Sequence, residues 1–272
     1  MELLKKIKTN YSDLSRTHIL YDFPYELTVM YEGVPFEFLL NMKSQKRKVI
    51  VFGSGAYQME KIAPPIFQRH SWIHHIEESS IFYNDPTLYL GEMSIGWGFG
   101  DEDKHYLEII SNILVKIFDY SKILRNNVMF HGSSGGGFMS LLLGGFIKET
   151  KVMVNNPQTV VTNYYKSHVD ALFETLPSSH LIDDIMCKYK TRLNASYFYN
   201  EISYIPEIIY LQNVASQHDM KYHLSPFLSE LHIMSDFFSK INIVLYCDKE
   251  KGHSPLGLNE TLVYFRDYFT EL

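Results

Sequence analysis

The stretch that most constrains this chain is residues 128–138, where an apolar run gives way abruptly to small residues. Its letters are VMFHGSSGGGF, so that Gly132, Ser134 and Gly136 fall in a G-x-S-x-G frame, and a helix-like run FMSLLLGGFI follows at once. Strand, sharp turn and helix in this order are typical of a nucleophile elbow, whose serine lies at a strained position on the tip of the turn. The pattern predicts an exposed Ser134 hydroxyl, with the N–H of Gly135 beside it at a helix N-terminus.

Two other interpretations of the same residues have to be weighed. A G-x-S-x-G frame also occurs in ordinary glycine-rich turns, and Gly132, Gly135 and Gly137 also spell G-x-x-G-x-G, a pattern of nucleotide-binding loops. A Walker loop requires a Gly-Lys-Ser/Thr sequence that does not follow here, and a dinucleotide-binding loop normally opens its domain. The serine interpretation is favoured, provided that an acid and a histidine follow on later loops.

Both partners follow in the expected order. Asp219 lies after the next-to-last predicted strand and His253 after the last one. Nucleophile, acid and base in this chain order are the arrangement of α/β-hydrolases. His253 would take the proton of Ser134, and Asp219 would fix the tautomer of His253 and stabilise its imidazolium. Asp248, five residues before His253 on the same loop, is an alternative acid. His218 is an alternative base, although it lies too early in the chain for the expected order.

Alternation of apolar runs predicts the fold class. Hydrophobic residues make up 46% and charged residues 21% of the 272, as in ordinary globular proteins. The runs predict an α/β-hydrolase fold over residues 1–272 as one domain, with a mostly parallel sheet, helices on both faces and a lid insertion at 160–205. Besides the elbow, the predicted strands are 26–30 and 35–40 as a hairpin, 49–52, 81–83, 151–154, 208–211 and 241–246, and the predicted helices are 103–120 and 260–269.

The loop after the strand at 49–52 has the sequence Gly53-Ser54-Gly55-Ala56. In α/β-hydrolases a loop after an early strand supplies the second backbone donor of the oxyanion hole. We therefore expect Gly135 to share this task with a backbone N–H of Ser54 or Gly55. An ordinary glycine turn is the alternative interpretation of this loop.

Residues 57–100 form a long irregular connection that is expected to cover the mouth of the site. Arg69 and neighbouring histidines would meet an anionic ligand there. Trp72 and Trp97 belong to the same connection, and aromatic residues reach 15% of the chain. Aromatic residues fill cores and also bind sugars. Arg69, Trp72, Trp97 and His131 of the elbow strand are our candidate substrate-binding residues.

Histidine and cysteine spacing gives no metal site. His70, His74 and His75 are close in sequence, but no carboxylate or cysteine completes an obvious set with them. Cys187 and Cys247 are far apart, without metal-type spacing, which indicates reduced thiols. We expect no bound metal and no bound cofactor.

Charge and hydropathy exclude two further classes. The formal net charge of −6 argues against general nucleic-acid binding, which requires a basic face. The beginning of the chain has no apolar segment of a secretory signal, and the longest near-apolar run, 138–147, is too short to cross a bilayer. The sequence predicts a cytoplasmic protein without a transmembrane segment, which could still associate with a membrane-bound assembly or with further copies of itself.

Several of these stretches together resemble a known family, the α/β-hydrolase-type O-acetyltransferases of bacterial capsule biosynthesis. The similarity covers most of residues 45–260 and is most specific at the elbow and at Asn156-Pro157-Gln158-Thr159. The stretches that carry it are 51–56, 71–72, 85–88, 96–97, 130–138, 156–159, 212–213 and 252–253.

The resemblance implies a cytoplasmic enzyme that moves an acetyl group from acetyl-CoA to sugar hydroxyls of a capsule or surface polysaccharide, through an acetyl-serine. Carried over by motif, its triad is Ser134, His253 and Asp219. Acetyl-CoA would be a co-substrate and the polysaccharide the acceptor. A carbohydrate esterase or deacetylase with the same triad is the first alternative, because hydrolases and acyltransferases share these residues. A non-catalytic hydrolase-like partner in polysaccharide or glycoprotein export is the second.

Overall fold

Nine strands form one mixed sheet in the computed structural model, which describes residues 4–177, 181–234 and 237–270. The strands are β1 (Lys5–Asn10), β2 (Tyr25–Tyr31), β3 (Val34–Asn41), β4 (Val49–Phe52), β5 (Ser79–Tyr83), β6 (Val128–Ser134), β7 (Lys151–Pro157), β8 (Glu207–Asn213) and β9 (Ile241–Tyr246). Their order across the sheet is β1-β2-β3-β5-β4-β6-β7-β8-β9. Strands β4 to β9 run parallel to one another, and β3 is antiparallel to both of its neighbours.

The helices lie mainly in the connections between the parallel strands. They are α1 (Tyr106–Ser121), α2 (Gly135–Phe146), α3 (Lys166–Phe173), α4 (Ile182–Lys188), α5 (Lys190–Leu193), α6 (Ala195–Ile202), α7 (Gln217–Asp219), α8 (Ser225–Leu231), α9 (Phe237–Lys240) and α10 (Leu258–Thr270). A π-helical turn, Met220–Leu224, joins α7 to α8. Within the described ranges, every helix is too short or too polar to span a bilayer.

Helices cover the sheet on both faces, which explains the continuous apolar runs in its strands. Side chains alternate across a strand, so Val128 and Phe130 of β6 pack into the core that contains α1 and α2, whereas Met129 packs into the opposite core with Phe265 of α10. All four residues of β4 are buried for the same reason. A strand that is apolar on both sides is therefore placed in the middle of the sheet.

The predicted α/β-hydrolase architecture is confirmed, and one strand was missed. The predicted hairpin is β2 and β3, paired in antiparallel register from Tyr25↔Leu40 to Tyr31↔Val34. Strand β1 has the polar sequence KKIKTN and pairs in parallel with β2 at the sheet edge, where Lys6 forms an ion pair with Glu26 at 2.8 Å. An edge strand that is exposed on most of its length needs no apolar pattern, so residues 5–10 carry no pattern that predicts a strand.

The segment predicted as a lid, 160–205, contains helices α3 to α6, with residues 178–180 outside the described ranges. Its second half is fastened to the rest of the molecule. The Tyr199 hydroxyl donates to the carbonyl of Leu141 in α2 at 2.7 Å, and the Arg192 guanidinium donates to backbone carbonyls including that of Asp101 at 2.8 Å. The part that borders the elbow is the first third, 160–173, and closure over the site stays a prediction for that part.

The basic run 43–48 lies before β4, at the end of the sheet where the parallel strands begin. Lys46 faces Glu77 there at 3.6 Å. The nucleophile elbow follows β6 and lies at the opposite end, where the parallel strands finish. These basic residues are thus separated from Ser134 by the length of the strands.

Candidate active site

Ser134 occupies the strained turn that the sequence predicted. It joins β6 to α2 with φ 54° and ψ −129°, a left-handed φ that costs a non-glycine residue free energy. The two flanking glycines are required by close packing. A Cβ at Gly132 would lie 2.2 Å from the Gly136 carbonyl oxygen, and one at Gly136 would lie 2.5 Å from the Gly53 carbonyl oxygen. The strand, the helix and the loop after β4 can meet only because these side chains are absent.

Ser134, His253 and Asp219 form one continuous hydrogen-bonded chain. His253 Nε2 lies 3.0 Å from Ser134 Oγ, and His253 Nδ1 lies 2.7 Å from Asp219 Oδ2. The carboxylate accepts the Nδ1 proton, so Nε2 is left with a lone pair that faces the serine hydroxyl. Asp219 is only 2% exposed and belongs to the first turn of helix after β8. The side chains that sequence order selected are brought together within hydrogen-bonding distance.

The two alternative triad residues have other places. The Asp248 carboxylate accepts the backbone N–H groups of Glu250 and Lys251, both at 3.0 Å, and so shapes the turn that leads to His253. His218 Nδ1 lies 4.0 Å from Asp219 Oδ1, on the side of the carboxylate away from the His253 contact. Neither residue replaces a member of the chain.

Two asparagines fix the loop that carries His253. Asn213, at the end of β8, donates from Nδ2 to the carbonyls of Asp248 at 2.7 Å and Gly252 at 2.8 Å. Asn156, at the end of β7, donates to the His253 carbonyl at 3.1 Å and accepts the Asn213 N–H at 2.8 Å. Both asparagines are fully buried, so these bonds are shielded from water. The base is positioned by the ends of β7 and β8, the two strands that follow the elbow strand across the sheet.

A second hydrogen bond reaches the nucleophile from Gln158, just after β7. Gln158 Nε2 donates to Ser134 Oγ at 3.1 Å, and its backbone N–H donates to the Ser134 carbonyl at 3.0 Å. The amide cannot be reversed, because Trp97 Nε1–H donates to Gln158 Oε1 and an indole nitrogen can only donate. Trp97 therefore determines which end of the Gln158 amide faces the serine.

Trp97 is itself held by a buried carboxylate. Asp85 accepts the N–H groups of Thr87 at 2.9 Å and Gly98 at 2.8 Å, and it is 4% exposed. Burial raises the pKa of the Asp85 carboxyl, and the backbone donors oppose that shift. The Trp97 backbone has φ 53°, a left-handed value. Two stretches that stood out in the sequence, 85–88 and 96–98, thus form one support behind Gln158.

Two of the candidate substrate-binding residues are not available to a substrate. Trp97 is fully buried, and His131 is 2% exposed. His131 alternates with Phe130 and so points into the core beside α10, where its Nδ1–H donates to the Met153 carbonyl at 3.0 Å and burial lowers its pKa to about 3. The expectation that Trp97 and His131 contact substrate was wrong, because both side chains face the interior.

Arg69 and Trp72 lie beside the elbow. Arg69 Nη2 donates to Ser133 Oγ at 2.5 Å, and its guanidinium lies 5.4 Å from the Trp72 ring centroid. Burial lowers the pKa of Arg69 to about 10, so it stays charged at neutral pH. Among the described residues no carboxylate forms an ion pair with this guanidinium. Arg69 also has a left-handed φ of 64°. A charged, half-buried side chain without an acidic partner suits an anionic group of a substrate.

The backbone donors expected for an oxyanion hole differ in availability. Gly135 is the first residue of α2, so its N–H is not used inside the helix. The Gly55 N–H donates to Gln68 Oε1 at 2.9 Å. The Ser54 N–H has no acceptor among the described residues, and its carbonyl carbon would lie 3.0 Å from a Cβ on Gly136. The geometry favours Ser54 with Gly135, and Gly55 is engaged elsewhere.

One group of metal-ligand type side chains occurs within the described ranges, formed by His218, Asp219 and His223, whose ligand atoms lie within 4.8 Å of one another. The donor set fits a metal poorly. Asp219 already accepts from His253, and His223 Nδ1 accepts the Thr159 N–H at 3.3 Å, which places the proton of the neutral ring on Nε2. Burial lowers the pKa of His223 to about 4. His70, His74 and His75 form no such group in the described part of the chain.

Two cavities lie away from this site. One of about 370 Å³ is lined by the first residues of β7, β8 and β9, including Lys151, Glu207 and Ile241. Another of about 320 Å³ lies beside Lys48 and Phe265. Both lie at the end of the sheet where the parallel strands begin, opposite Ser134.

Solved structures share this architecture. The capsule O-acetyltransferase of Neisseria meningitidis serogroup A matches with a TM-score of 0.65 at 18% identity, over 89% of this chain and 94% of that one. Esterase 2 of Thermogutta terrifontis, in a phosphonylated form, matches with a TM-score of 0.56 at 9% identity, over 89% and 91% of the two chains. The chain has the α/β-hydrolase fold. The structural similarity to capsule O-acetyltransferases that the sequence stretches predicted is thereby confirmed.

A histidine-to-alanine variant of the meningococcal enzyme, solved in complex with CoA, matches with a TM-score of 0.61 at 18% identity, over 88% of this chain and 94% of that one. A glycosylation-associated protein complex from Streptococcus agalactiae matches with a TM-score of 0.60 at 14% identity, over 90% of this chain but 45% of that one. No family model matches the sequence, and no curated protein matches it by sequence. At these identities the similarity shows the fold, together with an acyl-transferring or hydrolytic set of neighbours.

Sequence reasoning missed the side chains that support the triad. Gln158 was noted only within the stretch that resembled a family, and Asn213 likewise. The available signal was a run of polar residues, Asn155 to Gln158, placed directly after an apolar strand. Polar side chains at the end of a central parallel strand lie at the edge where ligands bind.

Proposed function

We propose that this chain is a serine-dependent O-acetyltransferase that moves an acetyl group from acetyl-CoA to sugar hydroxyls of a bacterial capsule or surface polysaccharide. The observation that carries the proposal is the chain of hydrogen bonds from Ser134 through His253 to Asp219 on an elbow of α/β-hydrolase type. The CoA-bound structure of the similar capsule enzyme supports acetyl-CoA as the donor. The cytoplasmic location predicted from the sequence agrees with the use of this co-substrate.

In the first step the thioester is exchanged for an ester. Ser134 Oγ attacks the carbonyl carbon of acetyl-CoA while His253 Nε2 takes the hydroxyl proton. The carbonyl oxygen becomes negative and is stabilised by the N–H of Gly135, at the N-terminus of α2, and by the N–H of Ser54 on the loop after β4. The carbon–sulfur bond then breaks, the sulfur takes the proton from His253, and CoA leaves. Asp219 keeps the imidazolium stable during both proton transfers.

In the second step a sugar hydroxyl, rather than water, attacks the acetyl-serine. His253 takes the proton of the acceptor hydroxyl, whose oxygen attacks the acetyl carbon, and Ser134 Oγ leaves and regains the proton from His253. Gln158 Nε2–H points at the oxygen that must leave, so it stabilises negative charge there at this stage. Transfer exceeds hydrolysis when the acceptor is held in place while water is excluded.

Arg69 has a proposed role in binding rather than in proton transfer. Its guanidinium is fixed by Ser133, the neighbour of the nucleophile, and lies against Trp72. We assign it to an anionic group on either substrate, and Trp72 to holding the guanidinium plane.

A carbohydrate esterase or deacetylase is the second candidate, because the Thermogutta esterase shares the fold and the same triad would serve. Hydrolysis needs the acyl-serine to be open to water, and the His253 side chain is 42% exposed. A non-catalytic partner in export is less compatible with an intact hydrogen-bonded triad, although the streptococcal glycosylation-associated complex has a similar fold.

The test is CoA release from acetyl-CoA by the wild type and by Ser134→Ala, with and without a panel of capsule oligosaccharides. The proposal predicts release that depends on a particular glycan and is lost in the variant. Ser134-dependent release of acetate from acetylated glycans, with acetyl-CoA untouched, would establish the esterase instead. Failure of a fluorophosphonate probe to label Ser134 would favour the non-catalytic partner.

A further inference from the structure

A row of exposed and partly exposed rings lies beside the triad and has no part in the reaction steps. We call it the aromatic ledge and define it as Tyr164, Tyr165, His168, His218 and Tyr222. Neighbouring ring centroids are 4.7 Å apart for Tyr164 and Tyr165, 5.2 Å for Tyr165 and His218, and 4.8 Å for His218 and Tyr222. Tyr165 is 57% and Tyr222 38% exposed, so the row leaves much of its ring surface to solvent.

The ledge approaches the triad at two points. Tyr164 packs edge-on against Trp97 at 6.0 Å, and Trp97 holds Gln158 on Ser134. Within the row, His218 is the sequence neighbour of Asp219, with 4.0 Å between their side chains. A cavity of about 170 Å³ beside the ledge is lined by His168 and by Ile95, which packs on Gly135. A molecule lying on the ledge is therefore directed toward the elbow.

Hydrogen bonds between two segments hold the ledge rigid. Asn163 Nδ2 donates to the Tyr222 carbonyl at 2.9 Å, which joins the segment after β7 to the helix after β8. Thr159 Oγ1 donates to the carbonyl of His223 at 2.7 Å, next to Tyr222. Rings that are already in position lose little conformational entropy when a ligand stacks on them. Such a surface is prepared for a flat ligand before it arrives.

The chemistry of the ledge favours a pyranose over the adenine of CoA. Sugar rings present C–H groups on their faces and hydroxyls at their rims, which match aromatic faces with tyrosine hydroxyls and imidazole nitrogens between them. The phosphates attached to adenine would need free cations nearby. The two lysines nearby already have partners, because Lys166 forms an ion pair with Asp170 and Lys221 lies 4.8 Å from the Tyr222 ring centroid. This favours the sugar.

We propose that the aromatic ledge is the acceptor subsite, where a pyranose ring stacks on Tyr165 and Tyr222 and presents a hydroxyl to the acyl-serine. The proposal rests on the proposed function for the role of the sugar, but the binding itself requires no turnover. It assigns acceptor recognition to the side of Ser134 away from Arg69.

The experiment measures binding to Ser134→Ala protein by saturation-transfer NMR, so that acetyl transfer plays no part. The probes are methyl α-D-glucopyranoside, methyl α-D-mannopyranoside and the methyl glycoside of N-acetylglucosamine, with sorbitol as an open-chain polyol that has hydroxyls but no ring face. We expect at least one pyranoside to bind and Tyr165→Ala to raise its Kd about 3- to 10-fold, as expected for loss of one aromatic contact. Tyr165→Phe keeps the ring and should retain most of the binding.

Phe23→Ala is the matched control, because Phe23 is an exposed aromatic residue, at 44%, just before β2 at the opposite edge of the sheet. It should leave pyranoside binding unchanged. Fluorophosphonate labelling of Ser134 in proteins that carry Tyr165→Ala or Tyr222→Ala alone reports whether the elbow is still folded.

The proposal is overturned if no pyranoside binds, if sorbitol binds as well, or if a Tyr165→Ala, Tyr222→Ala double variant binds like its parent. It is also overturned if these substitutions raise the KM for acetyl-CoA and leave pyranoside binding unchanged. Pyranoside binding on the ledge without any acetyl transfer would sustain the subsite while refuting the transferase.

Discussion

Ser134 makes hydrogen bonds on two different sides, donating to His253 and accepting from Gln158, and each side serves a different step. His253 faces the hydroxyl proton that must be removed, whereas Gln158 donates to the oxygen itself. A donor on a nucleophile lowers its reactivity slightly, but the same donor stabilises that oxygen when it becomes the leaving group. Gln158 is therefore expected to matter most in the second half of the reaction.

Gln158→Ala should slow transfer from the acetyl-serine about 10- to 100-fold, the range for losing a hydrogen bond to a developing charge. Formation of the acetyl-serine should change much less. Trp97→Phe removes Nε1–H together with part of the indole ring, which frees the Gln158 amide to rotate, so we expect a smaller effect of about 3- to 10-fold in the same direction. Rapid-quench measurement of the two half-reactions separates these outcomes. An equal slowing of both halves in Gln158→Ala would show that Gln158 only supports the fold.

Asp219→Asn should lower kcat by about 10⁴-fold while leaving the protein folded, because an amide cannot hold His253 in the required tautomer. Asp248→Asn is the matched control, since Asp248 lies on the His253 loop and its carboxylate, among the described contacts, bonds only within that loop. It should keep activity within about threefold. Strong loss in Asp248→Asn with little loss in Asp219→Asn would reverse the assignment of the acid.

The residues of the triad could be predicted from order along the chain, and their supports could not. Chain order and strand-end loops are local properties that the sequence displays. The contact of Gln158 with Trp97 joins residues 61 positions apart and exists only once the loop at 96–98 is packed. His131 and Trp97 were misread for the opposite reason, because residue type suggested a surface role and only packing shows that they are buried.

At the level of elements, the elbow depends on the approach of three backbones. Gly136→Ala would place a Cβ 2.5 Å from the Gly53 carbonyl oxygen, so the loop after β4 or α2 must move. We expect a loss of about 1–3 kcal/mol in the free energy of unfolding, as for other overpacked sites. Ser134 labelling by a fluorophosphonate should also be lost, since the loop carrying Ser54 moves with it.

The control for this prediction is Gly257→Ala. Its Cβ would have the Glu260 Oε2 atom as nearest neighbour at 3.4 Å, and it has no positive φ. Urea unfolding should show little change. If Gly136→Ala unfolds at the same urea concentration as the wild type and labels normally, the proposed close approach at the elbow is wrong.

The elements themselves were largely predictable, with instructive exceptions. Central strands are buried on both faces, so all four residues of β4 and the first three of β6 are apolar and easily recognised. Strand β1 is defined by pairing with β2 rather than by its own pattern. The segment 160–205 was treated as a single lid, whereas Tyr199 and Arg192 attach its second half to the body of the protein.

At the scale of the whole molecule, three buried histidines make stability depend on pH. Burial lowers the pKa of His105 and His131 to about 3 and that of His223 to about 4, from an ordinary value of 6.5. These rings stay neutral in the folded protein, whereas the unfolded chain takes up protons below pH 6.5. Their contribution to stability is therefore complete above that pH and is lost as the pH falls toward their folded values.

Urea unfolding at pH 7 and at pH 5.5 should differ by roughly 3 kcal/mol, about 1 kcal/mol for each histidine. The raised pKa of Asp85 acts in the opposite direction at lower pH, because that carboxyl binds its proton more readily when folded. His105→Gln, remote from the elbow, should reduce the loss by about one third. Equal stability at the two pH values would contradict the burial of these rings.

The most direct test of the central claim is intact-mass spectrometry of the protein after mixing with acetyl-CoA. The account predicts the addition of one acetyl group to the wild type, mapped to Ser134 by peptide analysis, absent from Ser134→Ala, and removed when an acceptor glycan is added. Acetylation that persists in Ser134→Ala, or a Ser134 that labels with a fluorophosphonate yet never gains an acetyl group from acetyl-CoA, would contradict it.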